Sequence, residues 1–225
     1  MKRILAAIIA AALLLSGCTS ASRPAESAPP TGTPSPSPTP IVTPTPEPEP
    51  ADGELVLVRD YIPGIFIDLK YATTDNFTGR VIYDSDEAYL RYGTVKKLLC
   101  AQNELSGRGL SLKIWDAYRP VSAQFKLWEI CPNPVYVSDP NNGYSKHSRT
   151  NTVDITLVTD TGESISMPSG FDDFTSLADR DYSDVSAEAA ENARLLENVM
   201  VENGFVPYSG EWWHYSDSVA YDVYG

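Results

Sequence analysis

The sequence predicts an α+β fold with a mainly antiparallel central sheet flanked by helices. Three observations carry this expectation. Strand-like and helix-like segments follow one another without strict alternation, which argues against a doubly wound parallel sheet. Eleven of the 18 prolines fall between Pro24 and Pro50, so the chain beyond them has few breaks. Residues 54–225, 172 in number, suffice for one core, since a domain near 150 residues buries roughly 70% of its unfolded surface.

The first segment, 1–17, is expected to be a signal peptide. Lys2 and Arg3 precede an apolar run of 12 residues, Ile4 to Leu15. That run is too short for a spanning helix, which needs about 20. The following Leu15-Ser16-Gly17-Cys18 resembles the lipobox of bacterial lipoproteins. The resemblance implies that Cys18 is lipidated and anchors an extracytoplasmic chain to the cell membrane; an ordinary secretion signal is the alternative. Residues 18–53 then form a Pro/Thr/Ser-rich linker. Repeated Thr-Pro, Ser-Pro and Glu-Pro pairs bury too little surface to offset their ordering entropy, so the segment reads as a disordered stalk or spacer.

Within 54–225, Leu55–Val58 and Ile65–Ile67 read as strands on either side of the Ile62-Pro63-Gly64 turn. Asp84 to Leu105 reads as a helix with acidic residues in its first turn, stopped by Gly107 and Gly109 and open to a break at Gly93. Leu110–Asp116 is a buried strand. Pro120 opens a helix that ends before Pro132. Thr152–Thr159 is a strand. Ser186–Asn203 is a helix with Ala189, Ala193, Leu196 and Met200 on one stripe and Gly204 just past its end. Phe205–Tyr208 and Trp212–Tyr215 close the chain as strands. Cys100 is expected in the core on an apolar helix face. A disulfide from Cys100 to Cys131 is open from spacing alone.

The net charge of −13 argues against nucleic-acid binding, which needs a basic face. Three cysteines exclude a four-thiolate zinc site or a disulfide scaffold. Imidazole chemistry has only His147 and His214 to draw on. Both lie beside carboxylates. His147 precedes Asp154 in Ser145-Lys146-His147-Ser148-Arg149-Thr150-Asn151-Thr152-Val153-Asp154, and His214 closes Glu211-Trp212-Trp213-His214. Together they supply what a catalytic zinc site needs: three N and O ligands, an open position and a carboxylate nearby as base. Glu211 and His214 are three apart, so a regular strand would point them to opposite faces. A turn or bulge, made plausible by Gly210, has to intervene.

Four blocks together resemble the D-alanyl-D-alanine dipeptidases, a zinc peptidase family that includes the vancomycin-resistance dipeptidases. They are Asp68-Leu69-Lys70-Tyr71-Ala72-Thr73-Thr74-Asp75-Asn76-Phe77-Thr78-Gly79, Trp115-Asp116-Ala117-Tyr118-Arg119-Pro120, the Ser145 to Asp154 stretch, and Glu211-Trp212-Trp213-His214-Tyr215. The resemblance implies a single zinc-peptidase domain with one zinc ion per chain, held by His147, Asp154 and His214. It implies Glu211 as general base on zinc-bound water and Arg119 as the group that stabilises the oxyanion. A structural ion pair with Asp116 is the alternative for Arg119. Asp172 matches a residue near the substrate ammonium group, and Tyr71 and Ser145 match pocket residues. The chain departs from the family at Thr150, where Gly is usual, and at Thr152, where a small residue is usual. Thr150 is therefore expected to strain the loop or narrow the site.

The function this implies is hydrolysis of the D-Ala-D-Ala dipeptide to two D-alanines, linked to peptidoglycan metabolism. A D,D-carboxypeptidase or endopeptidase trimming peptidoglycan stem peptides would share the same zinc ligands. A zinc-binding lipoprotein without catalysis would need neither Glu211 nor Arg119. No protein partner is implied.

Overall fold

The computed structural model describes residues 48–225. The signal segment at 1–17, the lipidation at Cys18 and the linker as far as residue 47 lie outside the described residues. Among the described residues no helix is long and apolar enough to cross a membrane. The backbone just ahead of residue 54 bonds to the domain: Gly93 N–H donates to the Asp52 carbonyl, and the Arg91 guanidinium donates to that of Gly53 at 2.7 Å.

The chain opens with β1 (Leu55–Leu57) and a single helical turn, α1 (Val58–Tyr61). A short strand, β2 (Phe66–Ile67), follows. The two predicted strands lie in different sheets. β1 pairs antiparallel with β3 (Tyr89–Arg91), whereas β2 runs parallel to β4 (Leu110–Asp116) at the edge of a second sheet. The helix predicted from Asp84 begins instead at Tyr92, as α2 (Tyr92–Ser106). Asp84, Asp86 and Glu87 are exposed loop residues, and Tyr89–Arg91 alternates around a wholly buried Leu90. The partner that makes this stretch a strand is far away in sequence, and local periodicity does not reveal it. Gly93 does not break the helix, because it sits in the first turn. A Cβ there would lie 2.7 Å from the Tyr221 hydroxyl.

Next come α3 (Val121–Ile130), capped by Pro120, then β5 (Thr152–Thr159) and α4 (Ala187–Glu202). The α4 N-cap is Ser186, whose hydroxyl accepts from Ala189 N–H, and Gly204 follows at φ +86°. The last strands are β6 (Phe205–Tyr208) and β7 (Glu211–Asp217). The main sheet has the order β2-β4-β5-β7-β6, antiparallel everywhere except at β2. The α+β expectation with a mainly antiparallel sheet is therefore met.

Helices α2 and α4 pack on each other and on the sheet. Along β5 the alternation divides the faces: Val153, Ile155 and Leu157 join the apolar core, so Thr152, Asp154 and Thr156 point the other way. Cys100 is not a core thiol. It is exposed, because the buried stripe of α2 runs through Val95, Leu98, Ala101 and Leu105 instead. Cys100 and Cys131 are both free thiols.

Candidate metal centre and active site

Two irregularities in the sheet build the site. In the β4–β5 ladder, Ile114 faces Ile155 but Asp116 faces Asp154, so β4 carries one extra residue at Trp115. The bulge sets Asp116 directly opposite Asp154. On the other side Asp154 faces His214 of β7. Asp116, Asp154 and His214 thus form one row across three strands. In the β6–β7 ladder, Pro207 faces Tyr215 and the next β6 residue, Tyr208, faces Glu211. Trp212, Trp213 and His214 have no counterparts in β6. This bulge lies within β7 itself rather than at Gly210. It resets the alternation, and the Glu211 carboxylate comes to 3.5 Å from His214 Nδ1. Buried Trp212 and Trp213 anchor the bulge on both sides.

His147 comes from a turn of 3-10 helix, Lys146–Arg149, between α3 and β5. Ser145 caps it: its hydroxyl accepts from His147 N–H at 3.3 Å. Thr150 ends it in the left-handed region, at φ +62° and ψ 23°. The strain expected at this position is therefore present, since a left-handed L-residue costs about 1–2 kcal/mol and a β-branched one is an outlier there. Thr152 places its hydroxyl 3.0 Å from that of Ser216.

The ligand atoms of His147, Asp154 and His214 all lie within 4.8 Å of one another, and all three residues are buried. His147 Nε2 is 3.2 Å from Asp154 Oδ2, and His214 Nδ1 is 2.9 Å from Asp154 Oδ1. His147 Nδ1 lies 2.9 Å from the Ala117 carbonyl, which accepts its proton. That contact fixes the tautomer and turns the Nε2 lone pair toward a carboxylate oxygen. Two acceptors facing each other at this distance require a cation between them, either a proton or a metal. The donor set, two imidazoles and one carboxylate with a carbonyl holding the far side of one ring, fits the ligand chemistry of zinc.

The electrostatics follow from this crowding. Burial works against ionisation of Asp154, but His147 and His214 outweigh it and hold the carboxyl well below the usual range. Burial also opposes charge on His147, yet Asp154 and Asp116 leave its pKa raised. Glu211 is raised by burial and by the negative charge of Asp154. Asp172 is pushed up to about 7, first by burial and then by Asp154 and Glu211, against the Tyr71 hydrogen bond.

Arg119 forms the ion pair held open as its alternative. Its Nη2 and Nε donate to Asp116 Oδ2 at 2.6 and 3.1 Å, and its Nη1 donates to Gln124 at 3.0 Å. Its guanidinium carbon lies 5.0 Å from the centre of the Tyr71 ring. Tyr71 in turn donates to Asp172 at 2.6 Å, across 101 residues of sequence. Asp172 holds a left-handed backbone, φ +52°. The rings of Phe77, Tyr83 and Phe171 pack around Tyr71. Ser145, Glu211 and His214 open into a cavity of about 260 Å³ that Pro134, Val135 and Tyr136 also line, and Tyr136 packs on Phe174, which packs on Phe77 beside Tyr71. The described residues singled out from sequence as metal ligands, catalytic groups and pocket groups thus converge.

Asp116 was legible only as a partner for Arg119. It is wholly buried and also accepts from the Tyr83 hydroxyl and from Ala117 N–H. A carboxylate closing the buried strand Leu110 to Asp116, three residues before Arg119, was the available signal.

The sequence model of a peptidase family described as D-ala-D-ala dipeptidase matches residues 51–222. The chain belongs to this family. It is accordingly a hydrolase of the metallopeptidase class, in a family that depends on zinc. A D-alanyl-D-alanine dipeptidase of Escherichia coli is 39% identical over 162 residues, covering 72% of this chain and 83% of that protein. One from Enterococcus faecium is 35% identical, over 69% of this chain and 87% of its own. One from Streptomyces coelicolor is 36% identical, over 73% and 91%. A solved structure of VanYB in complex with D-alanyl-D-alanine is a more distant likeness, at 17% identity and a TM-score of 0.40 over 59% of this chain and 74% of that one.

Proposed function

We propose that the chain hydrolyses D-alanyl-D-alanine to two D-alanines, with one zinc ion held by His147 Nε2, an Asp154 oxygen and His214 Nδ1. The observation that carries this reading is a buried two-histidine, one-aspartate cluster with a further carboxylate, Glu211, 3.5 Å from one of its ligand atoms. When bound, the zinc ion supplies Lewis-acid polarisation and a nucleophile near neutral pH.

Each of the chain's own groups then has a task. Glu211, raised by its surroundings, takes a proton from the attacking water and returns it to the leaving amine. Arg119, fixed by Asp116 and Gln124, offers charge-assisted hydrogen bonds where negative charge develops. Asp172, oriented by Tyr71, receives the substrate ammonium group. The rings around Tyr71 wall the end where a longer peptide would continue, which favours a dipeptide over a stem peptide. Ser145 contributes a hydroxyl on the leaving-group side. The lipobox-like Leu15 to Cys18 supports a lipid-anchored, extracytoplasmic setting.

The test is zinc content and D-Ala-D-Ala turnover for wild type and Glu211→Gln. The variant is expected to bind zinc at one per chain and to lose 10²-fold or more in kcat, within the usual range of about 10²–10⁴ for a general base. Near-normal turnover in Glu211→Gln overturns the mechanism. Faster cleavage of tripeptides than of the dipeptide by wild type overturns the substrate assignment.

A further inference from the structure

The cavity beside Glu211 and His214 has one cationic side chain in its wall, Lys146. No step of the proposed hydrolysis uses it. It precedes His147 in the 3-10 turn, and its position there is fixed by the same Ser145 cap that positions the histidine. Whereas His147 and Ser148 turn inward, Lys146 is exposed. Among the described residues it makes no ion pair with any carboxylate. Its ammonium stands 5.9 Å from the centre of the Tyr208 ring, which also lines the cavity. Two other cations nearby are already engaged, Arg119 by Asp116 and Gln124 and Arg180 by Glu197. Lys146 is therefore a positive charge without a carboxylate partner among the described residues, in a cavity whose lining also includes Ser145 and Ser138.

We infer that Lys146, with the Ser145 hydroxyl, receives the C-terminal carboxylate of the substrate. This rests on the dipeptidase reading. It gives the substrate ammonium to Asp172 and Tyr71 and the substrate carboxylate to Lys146. A zwitterionic dipeptide carries its two charges a fixed few bonds apart. A carboxylate at Asp172 and an ammonium at Lys146 then select for a substrate that carries both charges. A peptide blocked at its C-terminus meets a lysine with nothing to neutralise.

The test compares D-Ala-D-Ala with D-alanyl-D-alaninamide, which lacks the carboxylate, on the zinc-loaded protein. Wild type is expected to prefer the free acid. In Lys146→Gln that preference should fall about tenfold or more, chiefly through a higher KM for the acid, as removal of a charged hydrogen bond predicts. In Lys146→Arg, which keeps the charge, most of the preference should remain. An acid-to-amide ratio that is the same in wild type and Lys146→Gln overturns the inference while leaving the dipeptidase reading intact. Equal losses on both substrates overturn it too, by showing a structural role. Wild type inactive on both substrates overturns the dipeptidase reading itself.

Discussion

Removing the Asp116 carboxylate should show how Arg119 is held. Asp116 is wholly buried and accepts from four donors: the Tyr83 hydroxyl, Ala117 N–H, and the Nε and Nη2 of Arg119. Asp116→Ala strands the Arg119 guanidinium in a buried position without a counter-charge. Breaking one side of such a pair costs about 3–5 kcal/mol. For a domain of this size each kcal/mol lowers Tm by roughly 2–4 °C, so a fall on the order of 6–20 °C is expected. Replacing both partners, Asp116→Ala with Arg119→Met, removes the uncompensated charge, and the double variant should be more stable than Asp116→Ala alone. Urea unfolding of wild type, the two single variants and the double variant completes the cycle. If the single effects add to within about 0.5 kcal/mol, the two groups are independent and the reasoning is wrong.

Two further outcomes are expected. Asp172, raised to about 7, binds a proton in the folded state at pH values where the unfolded chain has lost it. Its burial therefore lowers stability as pH rises from about 4 through 7, and the deficit is complete above that range. Asp172→Asn keeps an acceptor for Tyr71, and relative to wild type it should gain about 2 kcal/mol between pH 5 and pH 8, below the upper bound of about 4 kcal/mol for a shift of this size; parallel pH–stability curves from urea unfolding would refute it. Ser186→Ala removes the α4 cap and should cost about 1 kcal/mol in the same assay with kcat unchanged; an unaltered urea midpoint would show the cap to be idle.

The parts of this fold that sequence reveals are those with local causes. The α4 stripe of Ala189, Ala193, Leu196 and Met200 is a one-face repeat, and Ser186 and Gly204 punctuate it without help from elsewhere. The need for a bulge between Glu211 and His214 is also local, because strand geometry forbids their convergence otherwise. What stayed hidden depends on distant partners. Tyr89–Arg91 is a strand only because β1 pairs with it, and the acidic residues before it imitate a helix start. Phe66–Ile67 joins the main sheet by parallel pairing to β4 instead of folding back on β1. The Trp115 bulge is invisible in the sequence, yet it alone turns Asp116 toward the site. Cys100 misled because an apolar neighbourhood on a helix does not say which side is covered.

The left-handed Thr150 links two regions of the molecule. Its N–H donates to the His147 carbonyl, closing the turn that carries one ligand, and β5 with Asp154 begins two residues later. Its own carbonyl accepts from Arg91 N–H of β3 at 2.8 Å. The small outer ribbon of β1 and β3 is thus clasped to the connection that sets the spacing of His147 and Asp154. Local opening of that ribbon releases the strained turn, and loss of the turn unfastens the ribbon. Hydrogen exchange at the Arg91 amide therefore reads out the integrity of a ligand pair whose side chains it never touches.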